Sequence, residues 1–290
     1  MLEEIYEKHY KKLMVIPFAM LLFFSSILLS NYLDKGYILE RDISLKGGTA
    51  ISFQSNRSFD LEELKTLSAQ LFETDDVVVR ELRDISGNLL GYDIEVGREL
   101  NMTEAINSLS EALGIDVSQV SVSQQSSTIA SSFYRDVLKA FPIAFILMSL
   151  VIYYYFRSFI PAVSILFSTL SDVICILGTM SLLGMRLSAA TLGALLMIIG
   201  YSTDSDILLA VNILKRREGR LMDRIKHAIK IELTMDAAAF TTYFIMYFLS
   251  NIGVIRHIAF VLMISIFFDT INTWIQNAGF QRMYLERKGR

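Results

Sequence analysis

Leu187 to Arg220 reads LSAATLGALLMIIGYSTDSDILLAVNILKRREGR. It starts as an apolar helix long enough to cross a bilayer, which takes about 20 residues. Asp204 and Asp206 appear before the apolar run ends, and Lys215, Arg216, Arg217 and Arg220 close it. A carboxylate inside a span costs roughly 2.5–3.5 kcal/mol on insertion scales, so a functional role is its default explanation. With about 100° per residue, Gly193, Gly200 and Asp204 fall within about 40° of one another. A face of that kind lets a neighbouring helix approach closely. Asp206 lies nearly opposite. The phase therefore predicts that Asp204 is the buried acid and that the two carboxylates do not share one site.

The rest of the composition agrees with a membrane protein. The 290 residues are 53% hydrophobic and have a mean hydropathy of +0.44, too apolar for an ordinary soluble chain. The formal net charge is only -3, so bulk charge says nothing about a nucleic-acid partner, and none is expected. Pro17, Pro142 and Pro161 lie in or beside apolar runs, where spanning helices tolerate them. Cys175 is the single cysteine, which excludes an intrachain disulfide and reads as a small buried side chain.

Leu13–Ser30 is an apolar run preceded by Lys8, Lys11 and Lys12. It exceeds the usual core of a signal peptide, acids lead it, and no A-x-A-like site follows, so it reads as a retained first span. Residues 32–134 are polar and mixed in charge. Within them Thr49–Gln54 alternates like a strand, and Asp60 caps a helix to about Phe72. Asp76–Asp84 and Leu89–Val96 are predicted strands joined at Ser86-Gly87-Asn88. Asn101 caps a second helix to Leu113, and Asp116–Ser123 is the last strand. The order βαββαβ is the ferredoxin-like pattern.

Further spans are predicted at Val137–Phe156, Phe159–Leu183, Leu187–Leu214, Leu233–Ser250 and His257–Phe280. The basic amphipathic stretch Arg220–Lys230 is expected along the membrane surface. Basic residues mass before the first span, between the fourth and fifth, and after the sixth, where Arg282, Arg287, Lys288 and Arg290 stand. The positive-inside rule then places both termini in the cytoplasm and 32–134 outside the cell membrane. The fold class is a polytopic α-helical membrane protein of six transmembrane helices. One α+β exterior domain separates helices 1 and 2. The expected divisions are 1–31, 32–134, 135–280 and a tail, 281–290.

Three other spans carry an acid. Asp172 shares a stripe with Ser164, Ser168, Cys175 and Thr179. Asp269 shares a face with Thr273 and Gln276, with Asn272 beside it, and Asp236 precedes Ala237-Ala238-Ala239. No lysine or arginine lies deep in a span to neutralise them, so they should be protonated, hydrogen-bonded or wet. Two readings stay open: a proton relay or switch formed by Asp204, Asp172, Asp206 and Asp269, or polar glue between helices. Gly193, Gly200 and Gly178 are candidate packing residues. Lys46-Gly47-Gly48-Thr49 is no phosphate loop, because that motif puts lysine after the glycines. Its glycines suit a sharp turn where domain meets membrane. His9, His227 and His257 fall at membrane edges, and no metal site, cofactor motif or nucleophile triad is present. Gly200-Tyr201-Ser202-Thr203-Asp204 lacks the G-x-G-D of intramembrane aspartyl proteases, so no enzyme is expected.

Taken in order, three pieces resemble the SecD/SecF family of the protein-export machinery, and within it the archaeal-type SecF branch. They are Ser44-Leu45-Lys46-Gly47-Gly48-Thr49; Ser171-Asp172-Val173-Ile174 with Leu177-Gly178; and Ala194 through Gly200-Tyr201-Ser202. The resemblance implies a SecD-type partner and a pseudo-symmetric bundle like that of the RND transporters. It also implies association with a SecYE-type channel and with translocating polypeptide. The proton gradient would be used through acids matching Asp172 and Asp204. Two departures stand out. The bacterial Gly-Tyr-Ser-Ile-Asn-Asp is replaced by a segment containing Asp204-Ser205-Asp206, and Thr234 occupies the place of an intramembrane arginine. The alternatives are a stand-alone RND-like proton-coupled exporter and a passive scaffold of the channel.

Overall fold

The computed structural model describes residues 2–55, 57–83, 87–216, 218–250 and 252–288, with side chains from Lys8 onward. Arg217, Arg290, Asp84 and Ser86 of the segments above lie outside the described residues.

A short helix α1 (Leu2–Leu13) leads into α2 (Val15–Lys35), which ends at Gly36 with a φ of 77°. A one-turn helix α3 (Ile43–Lys46) then opens the sheet domain, with Asp42 accepting from the Ser44 amide. Its elements are β1 (Gly48–Gln54), α4 (Leu61–Leu71), β2 (Val77–Arg83), β3 (Leu89–Val96), α5 (Met102–Leu113) and β4 (Val120–Gln125). The helix starts follow from capping. Asp60 accepts from the amides of Glu62 and Glu63, and Asn101 from that of Thr103, which satisfies donors a helix start leaves unpaired. Asp116–Gln119, expected as strand, instead forms a turn. Asp116 caps it by accepting from the Ser118 amide, so β4 begins only at Val120.

The four strands form one antiparallel sheet in the order β2-β3-β1-β4. Period-2 alternation sends Ile51, Phe53, Val77, Tyr92, Ile94 and Val96 to one face, where they pack with Leu64, Ala105 and Leu109 of the two helices. Phe53 and Tyr92 stack at 5.5 Å, and the Tyr92 hydroxyl accepts from the Phe59 amide at 2.7 Å. The other face carries Ser52, Arg80, Asp93 and Glu95.

Helix α6 (Ser127–Phe156) starts inside the segment expected to be domain. Gly47 explains the crowding there: its φ is 88°, and a Cβ on it would lie 2.3 Å from Ser127 Cα. The chain enters and leaves the sheet domain at this crossing. Then come α7 (Phe159–Leu182) and α8 (Ala189–Ala210), the latter continued by a π turn, Val211–Lys215. Next are α9 (Leu221–Leu249) and α10 (Gly253–Ile271); a second π turn (Asn272–Asn277) leads into α11 (Ala278–Arg287).

Among the described residues, five helical stretches are long and apolar enough to cross a membrane: Lys8–Lys35, Ser127–Phe156, Phe159–Leu182, Ala189–Lys215 and Gly253–Arg287. The first part of α9 does not lie apart as a surface helix. Its Ile225 and Ala228 are buried against Leu209, Ile213, Trp274 and Ala278, because those residues close one end of the bundle. Helix α7 is the central column, touching α2, α6, α8, α10 and α11. Gly178 makes its contact with α2 possible, since a Cβ there would meet Phe24 at 2.5 Å.

Candidate functional site: acids inside the helix bundle

The polar stripe of α7, one face of α8 and the π turn after α10 meet in the bundle centre. Asp172 of α7 is fully buried. Its Oδ2 accepts from Ser202 Oγ of α8 at 2.6 Å, and its Oδ1 from Asn272 Nδ2 at 2.6 Å. Asp206, also fully buried, accepts at Oδ1 from Asn277 Nδ2 at 2.6 Å and from Thr273 Oγ1 at 3.0 Å. Thr273 Oγ1 is also 3.3 Å from Asp269 Oδ1. One hydroxyl hydrogen is thus placed between two carboxyls and can complete only one short bond at a time.

The π turn accounts for the density of partners. Widening the helix by one residue lets Asn272, Thr273, Gln276 and Asn277 all point inward, and all four are fully buried. Such single-turn π bulges are frequent at functional sites. Gln276 Nε2 donates to Ser171 Oγ at 3.1 Å, and Ser164 Oγ and Gln281 Nε2 both donate to Asn277 Oδ1.

Two more acids come from α9. Asp236 accepts from the Tyr201 hydroxyl at 2.7 Å and from Thr270 Oγ1 at 3.2 Å. Glu232 is buried, and neither of its carboxyl oxygens has a hydrogen-bond partner among the described residues. The same holds for Oδ2 of Asp206 and of Asp269. The donors in these bonds are all neutral hydroxyls or amides. Thr234, expected from the resemblance to stand where an arginine would, is exposed and donates to the Lys230 carbonyl.

The structure corrects the helical-phase reading of α8. Asp204 is exposed, and so are Gly193, Met197 and Gly200. Apart from the adjoining backbone of α8 itself and the adjacent residues, nothing lies within 4 Å of where a Cβ would stand on either glycine. The buried face is the opposite one, carrying Ser202, Ser205, Asp206 and Leu209. A small-residue face marks where a helix can be approached, but in this chain α7 and α10 occupy the other side. Asp172, Asp206 and Asp269 are therefore brought together and Asp204 is left out. Tyr201 and Ser202 of the family motif each hold an acid, while Gly47 and Gly48 belong to the domain crossing far from the cluster. Glu232 was missed by sequence reading because basic residues surround it. The available signal was its spacing of four from Asp236, which puts both on one helix face.

The family model described as Protein export membrane protein SecD/SecF, C-terminal, matches residues 105–287. The chain is 35% identical to the protein-export membrane protein SecF of Methanocaldococcus jannaschii, over 96% of each chain. It is 32% identical to that of Methanothermobacter thermautotrophicus, over 96% of this chain and 94% of the relative. The crystal structure of SecDF, a translocon-associated membrane protein from Thermus thermophilus, superposes on 97% of this chain with a TM-score of 0.73 at 17% identity. This chain spans 38% of that chain's length, and the likeness at such identity is one of fold. The multi-pass helical bundle, the order of its motifs and these matches agree: the chain belongs to the SecD/SecF family of protein-export membrane proteins.

Proposed function

We propose that this chain is a non-enzymatic accessory subunit of protein export, one half of a bundle completed by a SecD-type subunit. The observation that carries this reading is the uncovered face of α8. A carboxylate and two glycines midway along an apolar helix are poorly suited to acyl chains, and they suit close contact with another protein helix. In this reading α9 is the fifth of six spans, the βαββαβ domain is ferredoxin-like, and residues 32–134 lie outside the cell membrane with both termini in the cytoplasm. The remaining divisions follow as 1–31, 135–280 and 281–290. A SecYE-type channel and the emerging polypeptide are the further partners.

Asp172, Asp206, Asp269, Glu232 and Asp236 form the proton-handling centre. Carboxyls buried this close to one another, with neutral partners, are held most cheaply with protons on most of them. The Thr273 hydroxyl between Asp206 and Asp269 gives a proton two acceptors. Its movement between them would change which of α8 and α10 is held more tightly. Asp204 belongs to the subunit interface rather than to this centre.

Co-purification tests the pairing: a second six-span protein should come down in equal amount, and Gly200→Leu should release it. A solute-transporting homodimer without that subunit would overturn the reading. For the proton-handling centre the test is export of a secretory reporter in cells carrying Asp206→Asn. Wild-type export at full protein level would favour a passive scaffold.

A further inference from the structure

The sheet face turned away from α4 and α5 roofs a polar cavity of about 460 Å³, floored by the ends of α9 and α10. Asp42, Glu81, Asp93 and Glu95 contribute four carboxylates, of which Glu81 is already paired with Arg83; Arg80 and Arg256 contribute two guanidiniums and His257 an imidazole. Glu95 is only 6% exposed. Its Oε1 accepts from Arg80 at 2.8 Å, while its Oε2 is buried with no hydrogen-bond partner among the described residues. An orphaned buried carboxylate oxygen is costly unless a donor reaches it. The surplus of acids says that this donor is a cation.

Tyr247 lines this cavity and also a second one, a groove of about 830 Å³ between α2, α9 and α10. The groove is apolar and rich in phenylalanine, including Phe23, Phe240, Phe244 and Phe267. Arg256 lies over the Tyr247 ring at 5.2 Å, at the boundary between the two spaces. Apolar groove, guanidinium and acid-lined cavity follow one another in the order of acyl chain, phosphate and amine in a phospholipid.

We propose that the two cavities together form a binding site for a membrane phospholipid whose headgroup ends in a primary ammonium. The acyl chains lie in the aromatic groove, Arg256 meets the phosphate, and the ammonium donates to Glu95 Oε2 and to Asp93 beside it. An anionic headgroup without an amine would bring its phosphate to four carboxylates and offer Glu95 at most a neutral hydroxyl, a weaker donor than an ammonium. A quaternary amine has no hydrogen to donate. Burial raises the carboxyls of Glu95 and Asp42 above their usual range, the second despite the Ser44 hydrogen bonds, which is the strain a bound cation would relieve.

The test uses the full chain in nanodiscs of three phospholipids in equal parts. All have the same tails, with phosphoethanolamine, phosphoglycerol or phosphocholine heads, and retained lipid is counted by native mass spectrometry after detergent stripping. The phosphoethanolamine lipid should be kept about tenfold over the other two, the ratio a single charge-assisted hydrogen bond supports. Glu95→Gln should bring the ratio to about one, and Phe244→Ala should lower all three without changing it. Equal retention by the wild type, retention of none, or selectivity that survives Glu95→Gln would overturn the proposal. General unfolding lowers all three lipids alike, so the wild-type ratio decides even if a variant is unstable.

Discussion

The two faces of α8 carry similar residues and meet different surroundings. On one, Ser202 and Asp206 are bound into α7 and the π turn by hydrogen bonds within the chain. On the other, Gly193, Gly200 and Asp204 face outward with nothing against them. An acid in an apolar helix therefore has two possible destinations, its own bundle or another chain's. Helical phase separates the two groups without saying which is which.

The largest effect should come from the inner face. Asp206→Leu strips Asn277 of its acceptor and should destabilise the purified chain by about 2–4 kcal/mol. Denaturation followed by the fluorescence of the single tryptophan, Trp274, measures it, and Asp204→Leu should leave that transition in place. Equal losses for both would erase the distinction. Next in size, Gly200→Leu should weaken co-purification of the SecD-type subunit about tenfold or more, the consequence of losing roughly 1.4 kcal/mol of contact. The isolated chain should be no less stable, because leucine is the better helix former.

A sharper probe changes charge and not shape. Asp172→Asn and Asp206→Asn keep the outline of the inner cluster and should cut reporter export severalfold at unchanged protein level. Asp204→Asn should act only through subunit association. The smallest effect lies in the sheet domain, where burial raises the Glu95 carboxyl. A raised acid favours the folded state while neutral, so that contribution is full below the unfolded value and is lost as pH rises through the folded one. In detergent without added lipid, wild type should lose stability relative to Glu95→Gln as pH rises above the ordinary carboxylate range, and a pH-independent difference would count against it.

Much of this architecture was legible in the sequence. Asp60 and Asn101 announced their helices because a capping side chain acts within three residues. The strands showed as alternation, and the spans as apolar length. What escaped depended on the third dimension. Asp116 looked like strand until its side chain is seen bonding the Ser118 amide. The π turn leaves no pattern in Asn272–Asn277 beyond unusual polarity. Glu232 was hidden by Arg224, Lys226 and Lys230 in its neighbourhood. The direction of α8 was read backwards because a glycine face signals close approach by some helix, not by one from the same chain.

The N-terminal cap of α8 has a mechanical consequence. The Ala189 amide donates to Ser44 Oγ at 2.7 Å, and the Leu187 amide to the Glu40 carbonyl at 2.7 Å. The strap entering the sheet domain is thus clipped to the top of a rod of 22 residues, about 33 Å long, whose lower half holds Ser202 and Asp206. A tilt of the domain would act on α8 through that clip, and a shift of α8 at the acids would reach the strap by the same bonds. Ser44→Ala would remove one of these bonds and soften the link, while the backbone pairing of Leu187 with Glu40 and Asp42 stays in place.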